Sequence, residues 1–404
     1  MDNVGSVTNY GQGFNTNINR FVPGGYVVGA FANQRSFVRT VTPGDPDRRP
    51  IQAAINDASR LGGGAIYLTP GTYMTTNKIL MKSNVSLIGA NQSNTVIDFG
   101  GTDTAYLAGT LTDNVVLRGI TFKGFDDSGA DSASVRFSSS NFVTIEECNF
   151  GNPITSFDLA GDILNSACGN FTVRNCRSGT PGVSSGGFFY YSTAVQQSNY
   201  VGNNYIAGHN VAFYGGAAVN DTVFIGNTIE GNTSYVFKGN FNNSQILSNH
   251  ISYPEGTQVD SIGSFFATSA MVIMGNNITM GTGGLFDFPS LIQSRIIGNY
   301  ITANKAGTCL MNFRAVASNN IITGNFIDAG AAANQEGIKF SGTSSGNIVN
   351  GNVIFSNSSG TGYAVNISDS TSDFNIVTNN YLIGQTGGFN NASSNSIGTN
   401  NLTN

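Results

Sequence analysis

Six stretches of the chain vary in length between otherwise similar segments, 123–134, 151–162, 179–187, 252–263, 328–336 and 356–362, and four of them carry carboxylates. Nine of the 23 acidic residues fall in them, namely Asp126, Asp127, Asp131, Asp158, Asp162, Glu255, Asp260, Asp328 and Glu336. Paired carboxylates supply the acid and the base that glycoside hydrolysis needs. Asp126, Asp127, Asp158 and Asp162 are the catalytic candidates, and Asp260 and Glu336 are candidate substrate ligands; the competing reading is solvated loop charge. Arg118, Glu146 and Arg174 recur every 28 residues, which predicts a ladder of alternating sign. It is either a surface ion-pair ladder or a substrate-facing site, with Glu146 as a further acid and Arg118 and Arg174 as ligands. In Gly187-Phe188-Phe189-Tyr190-Tyr191, a strand sends two aromatics inward and two outward. Tyr190 and Tyr191 are therefore candidates for stacking on sugar rings, or for burial in a subunit interface.

Composition narrows the partners. Of 404 residues, 18 are Lys or Arg and 23 Asp or Glu, a net charge of −5. The charged fraction of 10% is less than half of the usual quarter or so. So few cations argue against nucleic acid. No window approaches the length of apolar chain that spans a bilayer, so membrane insertion is not expected. Met1-Asp2-Asn3-Val4-Gly5 lacks the basic and apolar regions of a signal peptide; with Met1 as the native start, export by that route is not expected. Cys148, Cys168, Cys176 and Cys309 fit neither a disulfide framework nor a zinc pattern, and no metal, nucleotide or other cofactor is expected.

The elements that must carry these residues repeat. Gly-Asn-x-Ile recurs at Gly226, Gly298, Gly324 and Gly351. The asparagine slot is filled by Asn204, Asn227, Asn249, Asn276, Asn299, Asn325, Asn352, Asn380 and Asn400, and backwards by Cys176, Cys148 and Ile120, in steps of 20–28 residues. Three residues earlier all twelve positions are apolar, from Leu117 to Ile397. Two residues later, from Phe122 to Leu402, Ser178 is the sole exception. With a second β-type run in each unit, this describes a solenoid of β-coils. Stacking at about 4.8 Å makes about twelve coils a rod of about 55–60 Å. The asparagines form a buried ladder bonding along the stack, with Cys148 and Cys176 as inert thiols within it. The acid-bearing stretches mostly follow the apolar residue after the slot, so they emerge from one edge, where insertions often mark a binding face.

A solenoid needs a lid. Pro50–Leu61 places Ile51, Ala54, Ile55, Ala58 and Leu61 on one helical face, with Asp47 near its start and Gly62-Gly63-Gly64 ending it. The run Ala65–Tyr73 and Val85–Ala90 follow as entry strand and first coil. With these elements residues 45–404 resemble the pectate-lyase-like right-handed parallel β-helix superfamily, in particular its phage tailspikes. The resemblance implies an all-β solenoid with an N-terminal capping helix. Residues 1–44 lie outside it and are either an arm for anchoring or trimerisation or a flexible leader.

The superfamily's polygalacturonase, calcium-dependent lyase and alginate-epimerase residue sets are absent. Only fragments remain, at Asp126-Asp127, Gly208-His209-Asn210 and Gly337-Ile338-Lys339. The first two are 82 residues apart, about three coils or ~14 Å, and cannot form one site. The resemblance therefore implies no catalytic residue. It implies a virion-surface protein, trimeric in the manner of tailspikes, that binds or also cleaves a cell-surface polysaccharide. Other virion proteins would attach through residues 1–44. The alternatives are a structural rod decorating a virion, favoured by the absence of Trp, and an exported polysaccharide lyase or hydrolase.

Overall fold

The computed structural model describes residues 38–44, 50–102, 105–125, 132–151, 160–179, 187–192, 198–231, 235–253, 261–265, 268–280, 286–303, 309–330, 335–356, 362–384 and 387–403. Short runs of β-branched and aromatic residues between turns give strands of two to ten residues, and they stack in parallel into three sheets of 15, 14 and 14 strands. Each strand pairs with its counterparts in the preceding and following coils. In the first sheet Val143–Glu146 lies between Val115–Arg118 and Thr172–Arg174. In the second sheet Ser132–Ser138 lies between Leu107–Thr110 and Ala160–Ser166. In the third sheet Asn149–Phe150 lies between Thr121–Phe125 and Arg177–Ser178. One turn of chain thus visits the second, first and third sheets in order. The fold is a right-handed parallel β-helix.

The core is one continuous column running from Val41 to Leu382. Leu117, Ile145, Val173, Val201 and Phe224 succeed one another in it from the first sheet, fully buried and in register. The asparagine slot lies in the tight turn between the first and third sheets. Each buried side chain there bonds the next: Asn276 Nδ2 donates to Asn299 Oδ1 at 2.8 Å, and Asn299 Nδ2 to Asn325 Oδ1 at 2.9 Å. The same oxygen also accepts a backbone N–H, from Asn276 to Asn299 at 3.0 Å. The residue before the slot has positive φ in every rung, for example Gly226 at 63°, Gly298 at 60°, Asn203 at 55° and Asn379 at 54°. Glycine takes that conformation without a steric penalty and asparagine tolerates it, which is the physical content of the Gly-Asn motif.

In the last coil the register is one residue later than the sequence pattern suggests. Asn400 holds the left-handed position, with φ 52°. Asn401 takes the ladder, accepting from Asn380 Nδ2 at 3.0 Å. Ile397 and Leu402 consequently face outward. A second ladder, not read from the sequence, occupies the corner between the second and first sheets. There Asn320 Nδ2 donates to Asn347 Oδ1, and Asn347 Nδ2 to Asn375 Oδ1, both at 2.8 Å.

The helix Pro50–Arg60 closes the N-terminal end. Ile51, Ala54, Ile55 and Ala58 are buried, but the helix stops before Leu61, which is exposed. Asp47 lies outside the described residues. Gln52 reaches down to the edge strand Ile79–Leu80, where Oε1 accepts the Leu80 N–H at 2.7 Å and Nε2 donates to the Leu80 carbonyl at 3.1 Å. The amide thereby occupies the pairing groups that a bare sheet edge would expose. Val38–Val41, upstream of the helix, pairs with Gly64–Leu68 as the first strand of the first sheet.

Candidate functional site

Of the acids singled out by sequence, Asp126, Asp127, Asp131, Asp158, Glu255 and Asp260 lie outside the described residues. The strands flanking each of their stretches belong to the third sheet on one side and the second on the other.

Asp162 belongs to the second sheet and is fully buried with Ser178 and His209 from the next two coils. The Ser178 hydroxyl donates to Asp162 Oδ2 and stands 2.8 Å from His209 Nε2; the same Nε2 is 3.4 Å from Asp162 Oδ2. Burial pushes the Asp162 carboxyl well up and drives the His209 imidazole down to about 3, which favours the neutral form of each. A nucleophilic triad has histidine between serine and acid. Here serine is in the middle and no member reaches solvent. This is a polar knot within the core.

Arg118, Glu146 and Arg174 are register neighbours on the outer face of the first sheet. Arg174 Nη2 lies 2.5 Å from Glu146, and Arg118 Nε lies 3.8 Å from Glu146 and 2.9 Å from Glu147. Both carboxylates are already engaged by guanidinium groups, and ion pairs this exposed contribute about 0–1 kcal/mol each. Phe189 and Tyr190 point into the main core, and the Tyr190 hydroxyl accepts from Asn165 Nδ2 at 2.7 Å. Fully buried, Tyr190 presents no ring to a ligand; burial also pushes its hydroxyl upward. Phe188 and Tyr191 point the other way, into a separate cluster with Leu164 and Val211 on the outer side of the second sheet.

That outer side carries the polar and aromatic side chains most able to form a site. The register aligns Arg136, Leu164, Tyr191, Tyr214 and Lys238, then the Ser264 position, then Asp287, Asn312, Lys339, Asn366 and Asn390. Their strand neighbours, such as Phe286, Phe288, Phe313 and Phe340, fill the core. Alternation then requires the residues between to face out. Toward the N-terminal end the column is aromatic, with Tyr191 and Tyr214 ring centres 4.5 Å apart.

Further along it is amide and acid. Asp287 pairs with Arg314 and accepts from Asn312 Nδ2 at 3.3 Å. Glu336 is 3.3 Å from Lys339 and accepts from Asn366 Nδ2, whose own Oδ1 accepts from Asn390 Nδ2 at 2.8 Å. Beside it the Cys309 thiol is pushed up to about 12 by burial, reinforced by the Glu336 charge. Among the described residues no three His, Cys, Asp or Glu side chains gather as a metal site.

Rings that stack, amides that donate and accept, and carboxylates fixed by neighbouring cations form a row repeating at the strand spacing of about 4.8 Å. Of this row Tyr191, Asp287 and Asn366 are buried, at most 7% exposed, while Tyr214, Lys238, Asn312, Lys339 and Asn390 are half-buried and are the members that an extended polyhydroxylated chain would meet. Asp287 and Asn312 were missed in the sequence because they lie in short β-runs without a fixed distance from the asparagine slot.

No family model and no curated protein matches this sequence. Solved structures do share its fold. The A-module of the Azotobacter vinelandii mannuronan C-5 epimerase AlgE6 is 19% identical with TM-score 0.53, covering 88% of this chain and 94% of its own. The tailspike protein of the E. coli bacteriophage HK620, solved in complex with a pentasaccharide, is 16% identical with TM-score 0.57, covering 89% and 77%. PfbA, a surface adhesin of Streptococcus pneumoniae, is 14% identical with TM-score 0.56, covering 88% and 93%. The chain is a right-handed parallel β-helix similar in fold to these tailspike, epimerase and adhesin structures.

Proposed function

We propose that this chain is a surface-displayed β-helix that binds a cell-surface polysaccharide along the outer face of its second sheet. The observation that carries the reading is the single column from Tyr191 and Tyr214 through Asp287 and Asn312 to Asn366, aligned by strand register. A solenoid aligns side chains over many rungs, and a polymer is the ligand that engages many rungs at once. The fold shared with a tailspike solved with a bound pentasaccharide supports it. Display on a virion as a homotrimer, joined to other virion proteins through residues 1–44, completes the reading. It rests on the low-charge Asn- and Gly-rich coils and the distinct composition of that segment.

The reading is binding first, because Asp287 and Glu336 are already held by Arg314, Lys339 and Asn366. The test is a panel of bacterial surface polysaccharides, read by surface plasmon resonance and by release of reducing ends. At least one polymer is expected to bind, and Asn312→Ala with Asn366→Ala should weaken it by about tenfold or more. Full affinity in that double variant would overturn the site, and no binding across the panel would overturn the function. Reducing-end release that disappears in Asp287→Asn or Glu336→Gln would add catalysis to the same face.

A further inference from the structure

Lys339 and Asn366 are register neighbours on adjacent rungs of the second sheet, about 4.8 Å apart along the rod, and they share one carboxylate. Lys339 Nζ is 3.3 Å from Glu336 Oε2, while Asn366 Nδ2 donates to Glu336 Oε1. The carbonyl end of the same amide is held from the following rung, where Asn390 Nδ2 donates to Asn366 Oδ1 at 2.8 Å. Glu336 and Asn366 are buried, and Lys339 and Asn390 are half-buried.

These are the parts of an acyl transfer. A lysine amine becomes a nucleophile when a base beside it takes its proton, and the Glu336 carboxylate is placed as that base. The Asn366 carboxamide is the electrophile. Asn390 donates to the oxygen that turns negative when Cγ is attacked, which is the place of an oxyanion donor. Glu336 also touches the nitrogen that must leave, so one carboxylate can pass a proton from nucleophile to leaving group. Strand register keeps the reactants side by side, which makes the step intramolecular. A neighbouring triplet shows which part is decisive. Asp287 likewise holds the Asn312 amide and a cation, but that cation is Arg314, whose guanidinium keeps its proton and cannot attack.

We infer that Lys339 and Asn366 condense into an isopeptide bond that ties two consecutive coils. Glu336 takes a proton from Lys339 Nζ, and the freed lone pair forms the bond to Asn366 Cγ. The carbonyl π pair moves onto Oδ1, against Asn390. When it returns, the Cγ–Nδ2 bond breaks and Nδ2 leaves as ammonia, protonated through Glu336. Overall, a lysine ammonium and a carboxamide give a secondary amide and an ammonium ion, so no oxidant, reductant or cofactor is needed. The strands Glu336–Phe340, Tyr363–Ile367 and Gly387–Asn391 are the last three described in the second sheet. A bond between residues 27 apart in the chain restricts the unfolded state there as a disulfide does, and holds the C-terminal coils against fraying. It forms whether or not a glycan occupies this face.

The full chain, purified and then denatured, is weighed by mass spectrometry and mapped by proteolysis. The expected mass is below that of the sequence by one ammonia, with a branched peptide joining Lys339 to Asn366. Lys339→Arg, which keeps the ion pair, and Asn366→Ala are both expected at their full sequence masses. Glu336→Gln should slow formation of the bond by about a hundredfold, and Asn390→Ala by about tenfold or more. Circular dichroism matching the wild type in these two variants shows that folding is not the cause. A wild-type chain that keeps its full sequence mass after prolonged incubation would overturn the inference. So would an ammonia loss that persists in Lys339→Arg, which marks a succinimide elsewhere, or a branched peptide joining Lys339 to Asn312. Undiminished cross-linking in Glu336→Gln would overturn the role given to the carboxylate.

Discussion

Asparagine is repeated in the turn because its amide is self-complementary along a stack. Asn299 shows the full set: Oδ1 accepts the N–H and Nδ2 of Asn276, and Nδ2 donates to the Ile273 carbonyl at 2.9 Å and to Asn325. Asn299→Ala leaves several buried groups unpaired, so a loss of about 3 kcal/mol is expected in denaturant unfolding. Asn401→Ala, half-buried and with no further rung described beyond it, should lose clearly less.

The knot of Asp162, Ser178 and His209 makes a pH prediction whose sign can be worked out. His209, folded pKa about 3 against about 6.5 when unfolded, binds fewer protons in the fold, so its contribution weakens as pH falls from about 6.5. Asp162, raised well above 3.8, does the reverse: its contribution is full at low pH and is lost as pH rises toward the folded value. Each slope reaches about 1.4 kcal/mol per pH unit where the folded and unfolded chains differ in bound protons, and in the window from pH ~6.5 down to ~4 the two have opposite signs. Relative to wild type, Asp162→Asn should lose stability on acidification through that window, and His209→Gln should gain it. Thermal midpoints against pH check both signs, and parallel profiles for the two variants would refute the account. The sequence pointed to this place through Ser178, the one polar residue in an apolar series. It could not name the partners, because Asp162 and His209 come from other sheets and corners.

Among the elements, those set by local chain geometry were readable. The helix was found from its apolar face and its glycine stop, although its last expected contact, Leu61, lies past its end. The coils were found because slot and flanking residues are separated by a turn of constant length. That constancy misled in the last coil, where Asn400 and Asn401 are adjacent and only the positive φ of the first decides between them. The second asparagine ladder sits five residues before the slot. It was overlooked because serine and threonine replace asparagine there in several rungs, as at Thr222, Ser244 and Ser294. Because the helix lies on an otherwise bare sheet edge, Ile55→Asp is expected to detach it at a cost of about 3–5 kcal/mol. The measurable consequences are loss of helical circular dichroism and concentration-dependent association through the uncovered strands. An unchanged spectrum and a monodisperse solution would contradict the capping role.

Across the molecule, the fold follows from the repeat, whereas the face proposed to bind glycan does not. Strands of the second sheet differ in length and contain register shifts at Gly215/Ala218 and Phe288/Ser290. Coils of 21 to 28 residues also place each outward residue at a different distance from its asparagine. Tyr191, Asp287 and Asn366 therefore share a column in space with no common spacing in the chain. The ladder of Arg118, Glu146 and Arg174 was readable for the opposite reason, since three successive coils there are of equal length. The most direct test of the central claim is a crystal structure of the protein with an oligosaccharide from its bound polymer. The account predicts sugar rings along the outer face of the second sheet, beside Tyr214 and within hydrogen-bond distance of Asn312 and Asn390. An oligosaccharide lying along the first or third sheet would contradict it.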